Sequence, residues 1–362
     1  MFLDAAAAAR TVGPAFFFPM KTSRVVQVVL QLTALGVALG AGRLAAAPNE
    51  AFLGRWALTL PNGAAGWLEV KKEKGYYDGT ILWGGGSVVP VSSVVITEDS
   101  LIVTRTRDVP RKDAAGKVVR TQQFTEAITA KLGEGDTLQL TLLAPKVNGT
   151  AYDSAPFTGK RIPALPPRPD LQKVKFGEPI TLFNGKDLTG WKAKEDKVES
   201  AWKVEGGVLS NLVPKHAPGT PAKRTANLRT EKEFEDFTLT LEVSVPAGSN
   251  SGVYLRGIYE IQVFDSFGKP LDSHNMGALY SRITPSVAAE KPAGEWQTLA
   301  LTLVDRHVTV VLNGKTIIDN QPAAGCTGGA MWSDQLRPGP LYLQGDHGTV
   351  SYRNIVLRPV VK

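Results

Sequence analysis

Nowhere along these 362 residues does an amphipathic helix of useful length appear; apolar residues recur instead in short alternating runs cut by glycine and proline. A period of two puts successive side chains on opposite faces of a strand, so such a chain builds its core by packing or closing sheets. Strands are expected at Trp56–Leu60, Gly66–Val70, Gly79–Trp83, Leu101–Arg105 and Thr137–Leu142. A second, longer series covers Phe237–Val245, Gly252–Arg256, Tyr259–Asp265, Gly277–Ile283, Trp296–Val304, Val308–Leu312 and Val350–Leu357. Asn313–Gly314 carries the signal of a type I′ hairpin turn. The fold class predicted is all-β: a C-terminal antiparallel jelly-roll sandwich preceded by a small β-barrel or β-sandwich.

The Pro-rich run Ile162–Asp170 separates the two strand series. It predicts an accessory domain at 48–161, a linker at 162–175 and a second domain at 176–362. Trp56, Trp67 and Trp83 are read as core rather than as a sugar platform. Residues 1–47 read as an upstream extension plus signal peptide: a basic segment Met20–Arg24, an apolar run Val25–Ala41, then Ala45–Ala47 for cleavage. An uncleaved membrane anchor is the alternative, although the apolar run is short for spanning. The expectation is therefore a periplasmic or extracellular protein, with no stable membrane insertion after cleavage.

Cys326 is the single cysteine, so no intrachain disulfide braces the fold, and it is read as a buried or incidental thiol. Of the net charge of +7, residues 1–47 hold four basic residues against Asp4, leaving about +4 for the rest. No long basic run and no nucleic-acid motif occurs, so a nucleic-acid partner is not expected. No His, Asp or Glu spacing specifies a metal, and no cofactor is expected.

Two strand-like runs, Asn250–Arg256 and Tyr259–Asp265, carry polar and charged residues where buried strand is expected. Charges buried in a sheet are costly unless paired or exposed in a cleft, which points to a binding site. A three-residue turn at 257–259, the favoured register, would set Arg256 opposite Glu260 and Tyr254 opposite Gln262, on one face. A two-residue turn at Gly257–Ile258 would set Glu260 beside Leu255 instead. The plainer alternative is an Arg–carboxylate pair on a solvated sheet face.

The segment Leu182–Trp191 (LFNGKDLTGW) resembles the opening of the bacterial 3-keto-disaccharide hydrolase family. Further matches follow in order: Trp202–Leu209, Glu235–Leu239, Ser249–Arg256, Tyr259–Asp265, Gly277–Tyr280, Pro292–Gln297, Leu312–Lys315, Leu343–Gly348 and Tyr352–Ile355. The resemblance covers about residues 176–360. It implies a concanavalin A-like jelly roll with a carbohydrate site on its concave face. It also implies action on 3-keto-glycosides, as hydrolase, 1,2-lyase or hydratase of the resulting glucal.

A ketone at carbon 3 acidifies the carbon 2 proton, so such an enzyme needs a base, a donor for the enolate oxygen and an acid for the leaving group. For these roles the resemblance puts forward His347, beside Asp346, as base or acid, with Glu260 competing, and Arg256 as enolate stabiliser. Asn250, Tyr254, Gln262, Asp265, Gln344 and Asp346 would bind the sugar; for Asn250, Gln262, Asp265 and Gln344, turn or sheet-edge bonding is the equal alternative. His307 reads as structural, and His274 and His216 as loop residues. Two other functions stay open. Glu260-x-Gln262-x-x-Asp265 echoes the paired carboxylates of laminarinase-type retaining glycosidases, with substitutions at two positions. A noncatalytic glycan-binding jelly roll, with Tyr280 and Trp332 as platforms, is the other.

Overall fold

A computed structural model describes residues 48–213 and 224–361. The signal-peptide segment 1–47 and His216 lie outside the described residues. No helix among those described is long and apolar enough to cross a membrane.

The N-terminal strands are β1 (Gly54–Thr59), β2 (Ala65–Lys72), β3 (Tyr77–Trp83), β4 (Val89–Pro90) and β5 (Ser93–Ile96). They are followed by β6 (Leu101–Lys112), β7 (Val118–Leu132), β8 (Thr137–Pro145) and β9 (Tyr152–Arg161). All join one antiparallel sheet in the order β4-β3-β2-β1-β9-β8-β7-β6-β5. The sheet curls so that its two ends approach: in the link from β4 to β5, Val91 N donates to Gly79 O on β3 and Ser92 N to Thr104 O on β6. Inside lie Trp56, Leu58, Leu68, Ile81, Val103 and Leu138. Trp56 is core as expected, and Trp83 lies edge-on to Phe157. Trp67 is buried too, but it faces out of this barrel: its Nε1 donates to Cys326 O at 2.9 Å.

Beyond the Pro-rich segment come β10 (Ile180–Thr181), β11 (Trp191–Ala193), β12 (Trp202–Glu205), β13 (Val208–Asn211) and β14 (Leu228–Thr230). Then follow β15 (Phe237–Ser244), β16 (Asn250–Leu255), β17 (Tyr259–Phe264) and β18 (Trp296–Val304). The last four are β19 (His307–Leu312), β20 (Lys315–Pro322), β21 (Tyr342–Leu343) and β22 (Val350–Pro359). They form an eight-stranded and a five-stranded antiparallel sheet, the latter in the order β11-β14-β21-β16-β17. The two inner faces share one core, giving a jelly-roll sandwich. Strand β15 shows the reason in its sequence: Phe237, Leu239, Leu241 and Val243 are buried while the residues between are more open.

Two expectations need correction. Gly277–Ile283 is not a strand but a turn-rich loop, since Gly277 (φ 79°) and Ser281 (φ 59°) both leave the extended region. The β16–β17 turn covers residues 256–258, so Tyr254 opposes Glu260 and Gly252 opposes Gln262. The hairpin is one residue shorter on the β16 side than expected because Arg256 itself turns the chain, at φ 55°. Asn313 (φ 50°) and Gly314 (φ 81°) do form the two-residue turn between β19 and β20.

Candidate active site

Strands β16 and β17 are buried on both faces, so alternation alone sorts their side chains. Val253, Leu255, Tyr259 and Ile261 point to the sandwich core, and Tyr254 and Glu260 to the opposite face. Tyr254 pairs with Glu260 on one side and Tyr342 on the other, so three large polar groups stand in a row across β21, β16 and β17. The Tyr254 and Tyr342 rings stack at 3.9 Å. Gly252 makes the row possible: a Cβ there would meet Glu260 Oε1 at 2.4 Å.

This row floors a cleft of about 290 Å³ that also takes in Asn250, Gln344, Asp346 and His347. Glu260 is 3 % exposed and has no cation within salt-bridge distance among the described residues. Burial pushes its carboxyl up to about 8, Asp346 adds to the rise, and the Tyr254 hydroxyl works against it. Near neutral pH Glu260 is therefore largely a neutral acid. Burial, with Glu260 nearby, likewise raises both tyrosines well above the ordinary phenol. Tyr254 Oη donates to Gly328 O at 2.7 Å.

At the mouth, His347 Nδ1 meets Asp346 Oδ1 at 2.7 Å. Burial favours protonation of Asp346, but the bond and charge of His347, with Arg224, outweigh it and hold the carboxyl below its ordinary range. Asp346 is thus ionised and orients the ring, leaving Nε2 for a ligand. Asn227 Oδ1 accepts from Gly345 N at 2.7 Å and fixes the loop that carries this pair. Gln344 Oε1 and Asn250 Oδ1, on two residues that line the cleft, are buried and have no hydrogen-bond partner among the described residues.

Arg256, Gln262 and Asp265 do not line this cleft. Arg256 lies in the hairpin turn, where its guanidinium donates to Gln335 O and Arg337 O. Gln262 is buried opposite Gly252. Asp265 accepts from Gly248 N at 2.9 Å and closes the mouth of the hairpin, so the carboxylate pair of the laminarinase-like reading does not meet here. Trp332 also lies elsewhere, under Arg337, whereas Tyr280 is in the cleft. His307 is structural, its Nδ1 against Asp305 O, and the Cys326 thiol is buried and pushed up to about 12. Among the described residues no three His, Cys, Asp or Glu side chains gather as a metal site would require.

Sequence reasoning missed Tyr342, Lys194 and Arg224. Tyr342 had a signal, for it stands two residues before Gln344 in a strand-like run and so shares its face. Lys194 sits over the Tyr342 ring at 4.9 Å and Arg224 Nη2 lies 3.3 Å from Asp346 Oδ2; neither has a local signature.

The model of a 3-keto-alpha-glucoside-1,2-lyase-like domain matches residues 178–358. No curated protein matches the chain. Among solved structures, a provisionally named glycosyl hydrolase from Parabacteroides distasonis is 26 % identical, over 55 % of this chain and 94 % of its own, at a TM-score of 0.40. A second from the same organism is 24 % identical, over 51 % and 100 %, at 0.38. The kappa-carrageenase of Pseudoalteromonas carrageenovora is 10 % identical, over 55 % and 100 %, at 0.32.

Proposed function

We propose that this chain, which belongs to the 3-keto-alpha-glucoside-1,2-lyase-like domain family, is a carbohydrate-active enzyme that cleaves 3-keto-glycosides by β-elimination followed by hydration. The observation that carries the reading is a buried, uncompensated acid, Glu260, in the same cleft as a histidine held by an ionised aspartate. Glu260 holds a proton to give, and the imidazole that Asp346 orients offers a ring nitrogen to take one, so one cleft carries an acid and a base.

His347 Nε2 removes the proton at carbon 2, and the electron pair moves onto the carbon 3 oxygen as an enolate. Cleft donors stabilise that charge. When the ketone re-forms, carbons 1 and 2 become doubly bonded and the carbon 1–oxygen bond breaks. Glu260 protonates the departing oxygen. Water then adds across the double bond, hydroxyl at carbon 1 and hydrogen at carbon 2, and the net change is hydrolysis. Asn250 and Gln344 accept from sugar hydroxyls.

The test incubates purified protein in D₂O with a chromogenic 3-keto-glucoside and its unoxidised counterpart. The expected result is release from the keto compound alone, with deuterium at carbon 2 of the product. Release from both without deuterium overturns the mechanism, and binding without release overturns the enzyme. Export to the periplasm or beyond belongs to the same proposal, on the strength of residues 20–47; cell fractionation of the producing organism checks it.

A further inference from the structure

The cleft is not built by the sandwich alone. Gly85 and Gly86, in the turn after β3 of the N-terminal sheet, line the same cavity as Glu260 and His347. The turn is held there by bonds on both flanks. Gly329 N donates to Gly84 O at 3.3 Å, Ser87 Oγ meets His274 Nε2 at 2.9 Å, and Val88 N donates to Ser281 Oγ at 2.9 Å. A Cβ on Gly328 would lie 2.2 Å from Gly86 O, so the two backbones meet without side chains between them. That same Gly328 accepts from Tyr254 Oη, which ties the turn to the catalytic floor.

The glycines of the turn are not equivalent. Gly84 and Gly86 both have φ of 81°, a conformation that requires glycine. Gly85 has no positive φ, and a Cβ built on it meets nothing within 4 Å. Backbone and packing thus both permit a side chain at 85, on a residue that lines the cleft. The wall it makes is bare backbone, with no ring to stack on a sugar and no charged group to select one.

We propose that Gly85 sets, by space alone, the size of the group admitted beside the keto sugar, which makes the N-terminal sheet part of substrate selection. The inference rests on the 3-keto-glycoside reading above. A side chain at this position discriminates by volume, and pocket-size changes of this kind are worth roughly tenfold or more in kcat/KM.

Full-length Gly85→Ala and Gly85→Trp are compared with the wild type on methyl 3-keto-glucoside and on 3-keto-cellobiose, with melting temperatures measured alongside. Tyr76→Trp, exposed just ahead of the start of β3 and away from the Gly84–Gly86 turn, serves as the control. The expected result is that G85W lowers kcat/KM for the disaccharide about tenfold more than for the methyl glycoside, with G85A in between and Tyr76→Trp at the wild-type ratio. An unchanged ratio in G85W, or equal loss on both substrates at wild-type melting temperature, overturns the proposal. If G85W melts early, Gly85→Leu is read for the same ratio. If the wild type turns over neither compound, the reaction reading fails by itself. The wall is then judged by calorimetric binding of glucose and cellobiose: weakening by G85W confined to cellobiose supports it, and equal, unchanged or absent binding overturns it.

Discussion

Glu126 and Glu260 are both buried glutamates on antiparallel strands, 6 % and 3 % exposed, one in each half of the molecule. On β7 of the N-terminal sheet, Glu126 faces Arg105 Nε at 2.8 Å and Arg107 Nε at 2.9 Å. Arg105 in turn stacks on Trp83 at 4.4 Å. On β17, Glu260 has tyrosines and a glycine about it and no cation within salt-bridge distance among the described residues. Desolvation acts on both carboxyls, and the difference lies in what offsets it. Two guanidinium groups make Glu126 part of a brace between β6 and β7. Nothing of the kind stands by Glu260, so it keeps a proton and can give that proton away. Burial by itself does not single out a candidate acid; burial without a partner, in a cleft, does.

That contrast is most directly broken by exchanging each carboxyl for its amide. Glu260→Gln should cut kcat by about 10²–10⁴, the usual worth of a positioned acid, without lowering the melting temperature. Glu126→Gln should leave kcat within about twofold and destabilise by ~1–3 kcal/mol, because its two guanidinium partners lose their counter-charge. Comparable kcat losses in the two variants would end the distinction. Steady-state kinetics and thermal melts on the same preparations decide it.

A smaller effect sharpens the claim that Glu260 is uncompensated. Its carboxyl sits near 8 in the folded chain against an ordinary 4.5. Between those values the folded chain holds a proton that the unfolded chain has lost, so this group's contribution to stability falls as pH rises from about 4.5 to about 8. The melting-temperature advantage of Glu260→Gln over wild type should therefore be larger at pH 9 than at pH 5, by a few °C. Wild-type kcat/KM should also decline above about pH 8, as the acid loses its proton. An offset that is the same at both pH values would contradict the burial argument.

The smallest expected change concerns Arg256. Because its guanidinium braces the 335–337 loop, Arg256→Lys should cost about 1 kcal/mol of stability and leave kcat within about twofold. A large kcat loss at unchanged stability would return Arg256 to the cleft.

Much of this architecture was legible in the sequence. Val308–Ile318 alternates around Asn313–Gly314 and forms a hairpin, because side-chain period and turn chemistry are both local properties. Strand β7 was not legible: its first half is exposed on both faces and its residues are mainly polar, so no apolar alternation announces it. Glu260, His347 and Asp346 could be picked out as chemistry-bearing residues within strand-like or Gly-flanked runs. Their meeting could not, since β17 and the loop after β21 are some eighty residues apart in sequence. The turn at Arg256 shows the limit most plainly. The turn starts one residue earlier than expected, so Tyr254 meets Glu260 rather than Gln262 and the arginine leaves the sheet face for the turn; only pairing with β17 determines that register.

The sequence by itself determined an all-β chain, its hairpins and a set of polar strand residues, because period and turn propensity act within a few residues. Tertiary structure alone decided which of those residues share a cleft, which carboxyl is left without a cation, and that a glycine turn from the N-terminal sheet walls the site. Burial and pairing depend on segments far apart in the chain, and no local pattern encodes the distance between them.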